Sequence, residues 1–207
     1  MGIMDTKGFT VDQRFYDFQN LYYTEVSAFD HDITQNEALV DYLKTGGFFT
    51  APASTKYHGV YEGGLYDHSR AVTKRLIDIT DKMELKWQRP ESPFIVGMFH
   101  DLCKCDQYKA VIQQGLVNED ANGVKEFGIK TAYEYNNDLL LKGHGEKSVM
   151  ILSQFMTLTE EEMLCIRYHM GAYKTDEWLQ FDLAIKRHEN VLWCHQADQL
   201  ASKVDNI

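Results

Sequence analysis

The sequence predicts an all-α chain, and three observations predict it. Only three prolines, Pro52, Pro90 and Pro93, interrupt 207 residues. Most segments between loops repeat their apolar residues at three- and four-residue spacing, the period of a helix face. Helix start and stop signals punctuate them, among them Thr159, Pro93 and the Gly46-Gly47 pair. A small β-hairpin around residues 115–135 is the one expected departure, with a plain long loop as its alternative.

Residues 9–29 mix aromatics with acids and read as a helix that packs on the core. A short helix is expected over 36–45, ended by Gly46-Gly47. Residues 48–64, rich in Thr, Ser, Gly and Tyr, form a loop that delivers the chain to His68. Asp67 or Ser69 is expected to cap the next helix, so that His68 opens it. Its apolar side carries Val72, Leu76, Ile77, Ile79 and Met83. Pro90 and Pro93 then stop and restart the chain. Residues 94–104 read as a buried helix, because Ile95, Met98, Phe99 and Leu102 recur at i, i+3, i+4 and i+7.

The helical period is lost over 115–135. Asn122-Gly123 is a hairpin turn signal between Leu116-Val117 and the group Val124, Phe127 and Ile129. Helices are expected again over 148–156 and 159–170, the second opened by the capping-box pattern Thr159-x-x-Glu162. Residues 182–190 continue or bend into a last helix over 191–204. No repeat, low-complexity stretch or linker divides the chain. Residues 1–207 therefore read as one domain, with a core over 57–202 and residues 1–56 packed on it as a helical extension.

Composition narrows the function. The formal net charge is -10, and tight binding of long nucleic acid rests on a Lys/Arg face that this chain does not offer. No apolar run approaches a membrane span, and no basic start with an apolar core marks a secretory leader. A cytoplasmic location is the expectation. Cys103, Cys105, Cys165 and Cys194 form no C-x-x-C pair and read as reduced, partly buried thiols.

Six residues carry chemistry: His68, the adjacent pair His100-Asp101, His144, His169 and Asp198. An isolated histidine is ordinarily a core or surface residue. The pair differs, because one short segment offers a neutral imidazole and a carboxylate. On a helix, adjacent side chains point about 100° apart, so one binds a metal squarely while the other reaches between two. Asp101 lies among Met98, Phe99 and Leu102, where an unpaired charge is costly. Asp198 sits in a similarly apolar segment. His144 stands between Gly143 and Gly145, which permit close backbone approach. His169 lies at the edge of a stripe made by Met163, Ile166 and Met170. Nitrogen and oxygen donors of this kind suit Mn, Fe, Co, Ni or Zn.

The order resembles that of the HD-domain metal-dependent phosphohydrolase superfamily. The surrounding words that carry the resemblance are Glu62-Gly63-Gly64-Leu65-Tyr66-Asp67-His68-Ser69, Phe99-His100-Asp101-Leu102-Cys103-Lys104, Gly143-His144-Gly145-Glu146, Arg167-Tyr168-His169-Met170-Gly171 and His195-Gln196-Ala197-Asp198. Both middle histidines are present, as in the two-metal subgroup. The resemblance implies an HD-type helical bundle holding two divalent ions on His68, His100, Asp101, His144, His169 and Asp198. It also implies a phosphohydrolase that cleaves a phosphate ester of a small nucleotide or related phosphorylated metabolite with a metal-activated water. Asp101 and Lys104 would be catalytic. Lys104 would face the phosphate, with His58 as a further substrate contact. The other reading of Lys104 is a solvated surface residue.

His195 is expected behind the ligands as an orienting partner, and Arg167 is expected to point elsewhere. The cyclic-dinucleotide branch is disfavoured, because His169 is followed by Met170-Gly171-Ala172-Tyr173 and not by a Gly-Tyr-Pro motif. Two alternatives share the ligand set: a di-iron oxygenase of the myo-inositol oxygenase type, and a non-catalytic nucleotide sensor. The partner is a small phosphorylated substrate, with no membrane, and the oligomeric state is left open.

Overall fold

Thr10 and Gln13 close a reciprocal capping box at the start of the first helix, α1 (Val11–Glu25). In the computed structural model, which describes residues 6, 8–26, 32–119, 125–141, 143–172 and 175–207, seven further helices follow. They are α2 (Glu37–Thr45), α3 (Gly64–Met83), α4 (Ser92–Phe99), α5 (Gly145–Leu152), α6 (Glu160–Tyr168), α7 (Trp178–Arg187) and α8 (Asn190–Lys203). An antiparallel pair, β1 (Tyr108–Glu119) and β2 (Lys125–Tyr135), lies between α4 and α5. The molecule is thus mostly helical with one two-stranded ribbon. No described helix is long and apolar enough to cross a membrane.

α3 is the central helix, packed on α4 and α8. α6 lies against α5 and α8. The core is aromatic where α1 meets this body: Phe18, Tyr22, Phe48, Phe94 and Phe99 are all buried. Phe18 meets Phe94 at 5.8 Å between ring centroids, and Phe48 meets Phe99 at 6.1 Å. α1 does more than cover this core. Arg14 is buried and donates to Phe49 O at 2.9 Å and Glu62 O at 3.0 Å. It satisfies loop carbonyls that would otherwise be stranded away from water, and so anchors the segment that leads to His68.

Several expectations need correction. The helix expected over 9–29 runs from Val11 to Glu25, and residues 27–31 lie outside the described residues. α3 is capped by neither Asp67 nor Ser69. It starts one turn earlier, from Gly63 at φ 85°. The Asp67 carboxylate instead accepts from Thr6 and from Tyr61. His68 therefore sits inside the helix and not at its opening. Met83 is 53 % exposed because it lies in the last turn of α3, beyond the packed stretch.

The helix expected over 94–104 ends at Phe99, and a 3-10 turn follows at Leu102–Cys105. The four apolar residues that suggested it are all buried. The periodicity was real, but it spans a break. α5 starts at Gly145, three residues before the expected 148, and ends at Leu152. α6 keeps the capping box of Thr159 and Glu162. α7 starts at Trp178, and His188 and Glu189 separate it from α8.

The hairpin is longer than 115–135. Tyr108 pairs with Tyr135, and the register runs to Leu116 opposite Phe127 before a bulge. Pairing with β2 makes a strand of 108–114, which lacks a clean alternation of its own. Asn122-Gly123 and Val124 lie outside the described residues.

One contact sets the spacing on which the site depends. A Cβ on Gly97 would lie 2.6 Å from Thr73 Cα. Glycine at 97 lets α4 approach the α3 backbone closely, three residues before His100 and five after His68. Gly97→Ala is expected to force the helices apart and to lower stability by about 1–3 kcal/mol, the usual cost of overpacking. Urea unfolding measures this, and an unchanged midpoint would show that the pair has slack.

Candidate metal centre

His68 comes from α3, and His100 and Asp101 from the end of α4. His144 precedes α5, His169 caps α6, and Asp198 lies on α8. The fold brings all six together. Except for His144, which is partly exposed, all are buried. The helix break matters here. His100 keeps helical dihedrals at φ -56° and ψ -32°, while Asp101 leaves them at φ -108° and ψ 20°. The local turn, not the 100° step of a continuous helix, separates the two side chains.

Asp101 is the hub, and its two oxygens divide the cluster. Oδ2 faces His100 Nε2 at 3.3 Å and His68 Nε2 at 3.6 Å. Asp198 Oδ1 completes that side at 3.1 Å from His68 Nε2. Oδ1 faces His144 Nε2 at 3.1 Å and His169 Nε2 at 3.3 Å. Lys104, on the 3-10 turn, meets Oδ2 at 2.6 Å. Burial alone would raise the Asp101 carboxyl, but Lys104, with His100 and His144, holds it well below the usual carboxylate range. Asp198 is likewise held low against its burial, chiefly by His68.

The imidazoles are oriented from behind. His68 Nδ1 meets Ile207 O at 2.8 Å, His100 Nδ1 meets Gly97 O at 2.8 Å, and His169 Nδ1 meets Ile166 O at 2.7 Å. A carbonyl only accepts, so each Nδ1 carries the proton. In a neutral ring the lone pair is then on Nε2, and all three Nε2 atoms point into the cluster. Burial keeps His100 below its ordinary pKa and therefore neutral. His68 Nε2 and His100 Nε2 stand 3.3 Å apart. Two lone pairs at that distance repel unless a proton or a cation lies between them. On the other side, Asp101 Oδ1, His144 Nε2 and His169 Nε2 are buried without a hydrogen-bond partner. Buried polar atoms are rarely left so. Oriented lone pairs around a carboxylate are the donor chemistry of a metal site, and these residues could hold metal ions.

The donor atoms of His68, His100 and Asp101 all lie within 4.8 Å of one another, and so do those of Asp101, Cys103 and His144. Cys103 was expected as a reduced thiol and not as a partner of a ligand ring. Its sulfur lies 3.5 Å from His144 Nδ1, in the place that a carbonyl takes behind the other rings. Burial, then Asp101, pushes the thiol up to about 12. The only available signal was its position two residues after Asp101. All four cysteines are free and buried.

His195 does not touch a ligand ring. Its Nδ1 meets His169 O at 2.7 Å, so it buttresses the backbone of a ligand. Gly145 is required by contact: a Cβ there would lie 2.4 Å from Arg167 O, where α5 meets the end of α6.

A cavity of about 800 Å³ opens beside the cluster. Lys104 and Asp198 reach it, and so do His58, Tyr108, Tyr135 and Arg167. Lys104 is buried, not the solvated surface lysine of the alternative reading. His58 stands 4.7 Å from the His68 ring, and neither of its ring nitrogens has a hydrogen-bond partner. Burial, then the neighbouring His68 and Lys104, lowers its pKa to about 4. Arg167 does not point elsewhere: it lines the cavity, held by Glu146 at 2.6 Å and Glu177 at 3.3 Å. Tyr108 and Tyr135 form a T-shaped pair at 5.3 Å where the ribbon leaves the body.

No family model, curated protein or solved structure matches this chain.

Proposed function

We propose that the chain is a metal-dependent phosphohydrolase of the HD type, acting on a small nucleotide or related phosphorylated metabolite. The observation that carries the reading is the partition of donors across Asp101. One ion would be held by His68, His100, Asp101 and Asp198, and a second by Asp101, His144 and His169. Two divalent cations sharing a carboxylate supply positive charge that binds a phosphate ester and lowers the pKa of a water.

The side chains around the cluster suit that chemistry. Asp101 keeps its carboxylate ionised inside the protein, so it can bridge. Lys104 Nζ, now on Asp101 Oδ2, offers a compact charge to a phosphoryl oxygen at the cavity floor. His58 is neutral at physiological pH, since its pKa lies near 4. With a donor and an acceptor nitrogen free, it can hold one ester or phosphoryl oxygen. The cavity can take a molecule larger than phosphate, and Tyr108 and Tyr135 give its wall aromatic surface. The overall charge of -10 does not oppose a small anion, because the local field of the ions prevails at short range.

The test is phosphate release from a panel of nucleotides and simple phosphate esters, by protein loaded with Mn or Co without oxygen. Turnover under these conditions is expected. Strict dependence on iron and oxygen with no ester cleaved would overturn the reading in favour of an oxygenase. Metal binding without turnover of any kind would favour a sensor.

A further inference from the structure

The ribbon of β1 and β2 presents an amphipathic surface that the helical body leaves open. Directly paired residues of two strands share a face. One face therefore carries Tyr108, Ile112 and Leu116 from β1, with Phe127, Ile129 and Tyr135 from β2. No residue on it, from Tyr108 to Leu116 and from Phe127 to Tyr135, is charged. The other face is mixed, with Lys109 opposite Glu134, Gln113 opposite Lys130 and Val111 opposite Ala132 between them. The apolar face lies open to solvent: Ile112 is 79 %, Ile129 72 % and Phe127 71 % exposed. No described helix packs along either strand. A lone two-stranded ribbon is marginally stable in water and needs a surface to pack on.

We infer that this face is a self-association surface, on which the same face of a second copy docks. Three observations favour a second copy over another protein. First, the face is its own complement, as a two-fold interface requires. Apolar side chains of two ribbons can interleave at the sheet-packing distance of about 10 Å. Second, each copy carries a net charge of -10, so two copies approach most easily across a face without charges. Third, the area suffices. The six apolar side chains expose roughly 600 Å² per copy, near the ~800 Å² per partner of a standard interface. Tyr108 and Tyr135 belong both to this face and to the cavity wall, so the seam runs up to the cavity mouth.

The inference is independent of the metal and of catalysis. Light scattering or sedimentation of the full chain across the micromolar range tests it. The wild type is expected to be dimeric. The double variant Ile112→Lys with Ile129→Lys is expected to weaken association by roughly thirtyfold or more, as loss of central contacts does. Its helical circular dichroism should be unchanged, since neither residue touches the helical core. A monomeric wild type, or a variant that stays dimeric, overturns the inference. Should the double variant lose helical signal, Gln114→Cys decides. It sits mid-ribbon on the same face, and a bismaleimide spanning about 10 Å is expected to link two copies. Failure to link them overturns the inference as well.

Discussion

Asp101→Asn is expected to empty the site. The substitution keeps the shape but removes the charge shared by both donor groups, so metal content should fall from saturation to near zero. The wild type should gain roughly 4 kcal/mol from a metal held at about a thousandfold above its dissociation constant. For a chain of this size that is a rise of roughly 8–16 °C in Tm, reversed by a chelator. The variant should show no chelator-sensitive shift. It should also melt below the metal-free wild type. Lys104 is buried on Asp101 Oδ2 at 2.6 Å, and breaking such a pair costs about 3–5 kcal/mol. Elemental analysis with thermal scans reads both effects. Wild-type metal content in the variant would remove Asp101 from its place at the hub.

Lys104→Ala should separate catalysis from metal binding. The ammonium is not a metal donor, so metal content should persist. If it stabilises charge on a phosphoryl group, kcat should fall about a hundred- to a thousandfold. Stability should respond in a characteristic way. Without metal, the variant strands a buried carboxylate and should lose about 3–5 kcal/mol. With metal bound, cations compensate Asp101 and the gap to the wild type should narrow. Lys104→Arg should rescue poorly, because a planar fork does not replace a compact charge in a tight site. Wild-type turnover of a confirmed substrate by both variants would move the phosphate contact to His58.

Helix content was legible because apolar spacing and caps are local. The box at Thr159 and the stop at Gly46 arise from backbone groups a few residues apart. The pattern misled where a local rule met a tertiary one. Ile95, Met98, Phe99 and Leu102 share a helical period and are all buried, yet the chain turns at His100 and Asp101 between them. Asp67 looked like a cap because it precedes an apolar run, but Gly63, pressed against the Arg14 guanidinium, starts the helix earlier.

By itself the sequence determined the candidate donors and their order, because an adjacent His-Asp pair among apolar residues needs a partner wherever it folds. It also determined that most of the chain is helical, because periodicity and caps act over one or two turns. Only the tertiary structure decided which oxygen of Asp101 each imidazole faces, because donors from five segments meet through packing. It also turned the Nε2 atoms of His68, His100 and His169 inward, because main-chain oxygens, one as distant in sequence as Ile207 is from His68, accept from their Nδ1–H groups. It placed Cys103 behind His144, swung Arg167 into the cavity wall and left the apolar face of the ribbon bare. Those outcomes depend on long-range approach, such as Gly97 against Thr73, and no local spacing encodes the distance between two helices.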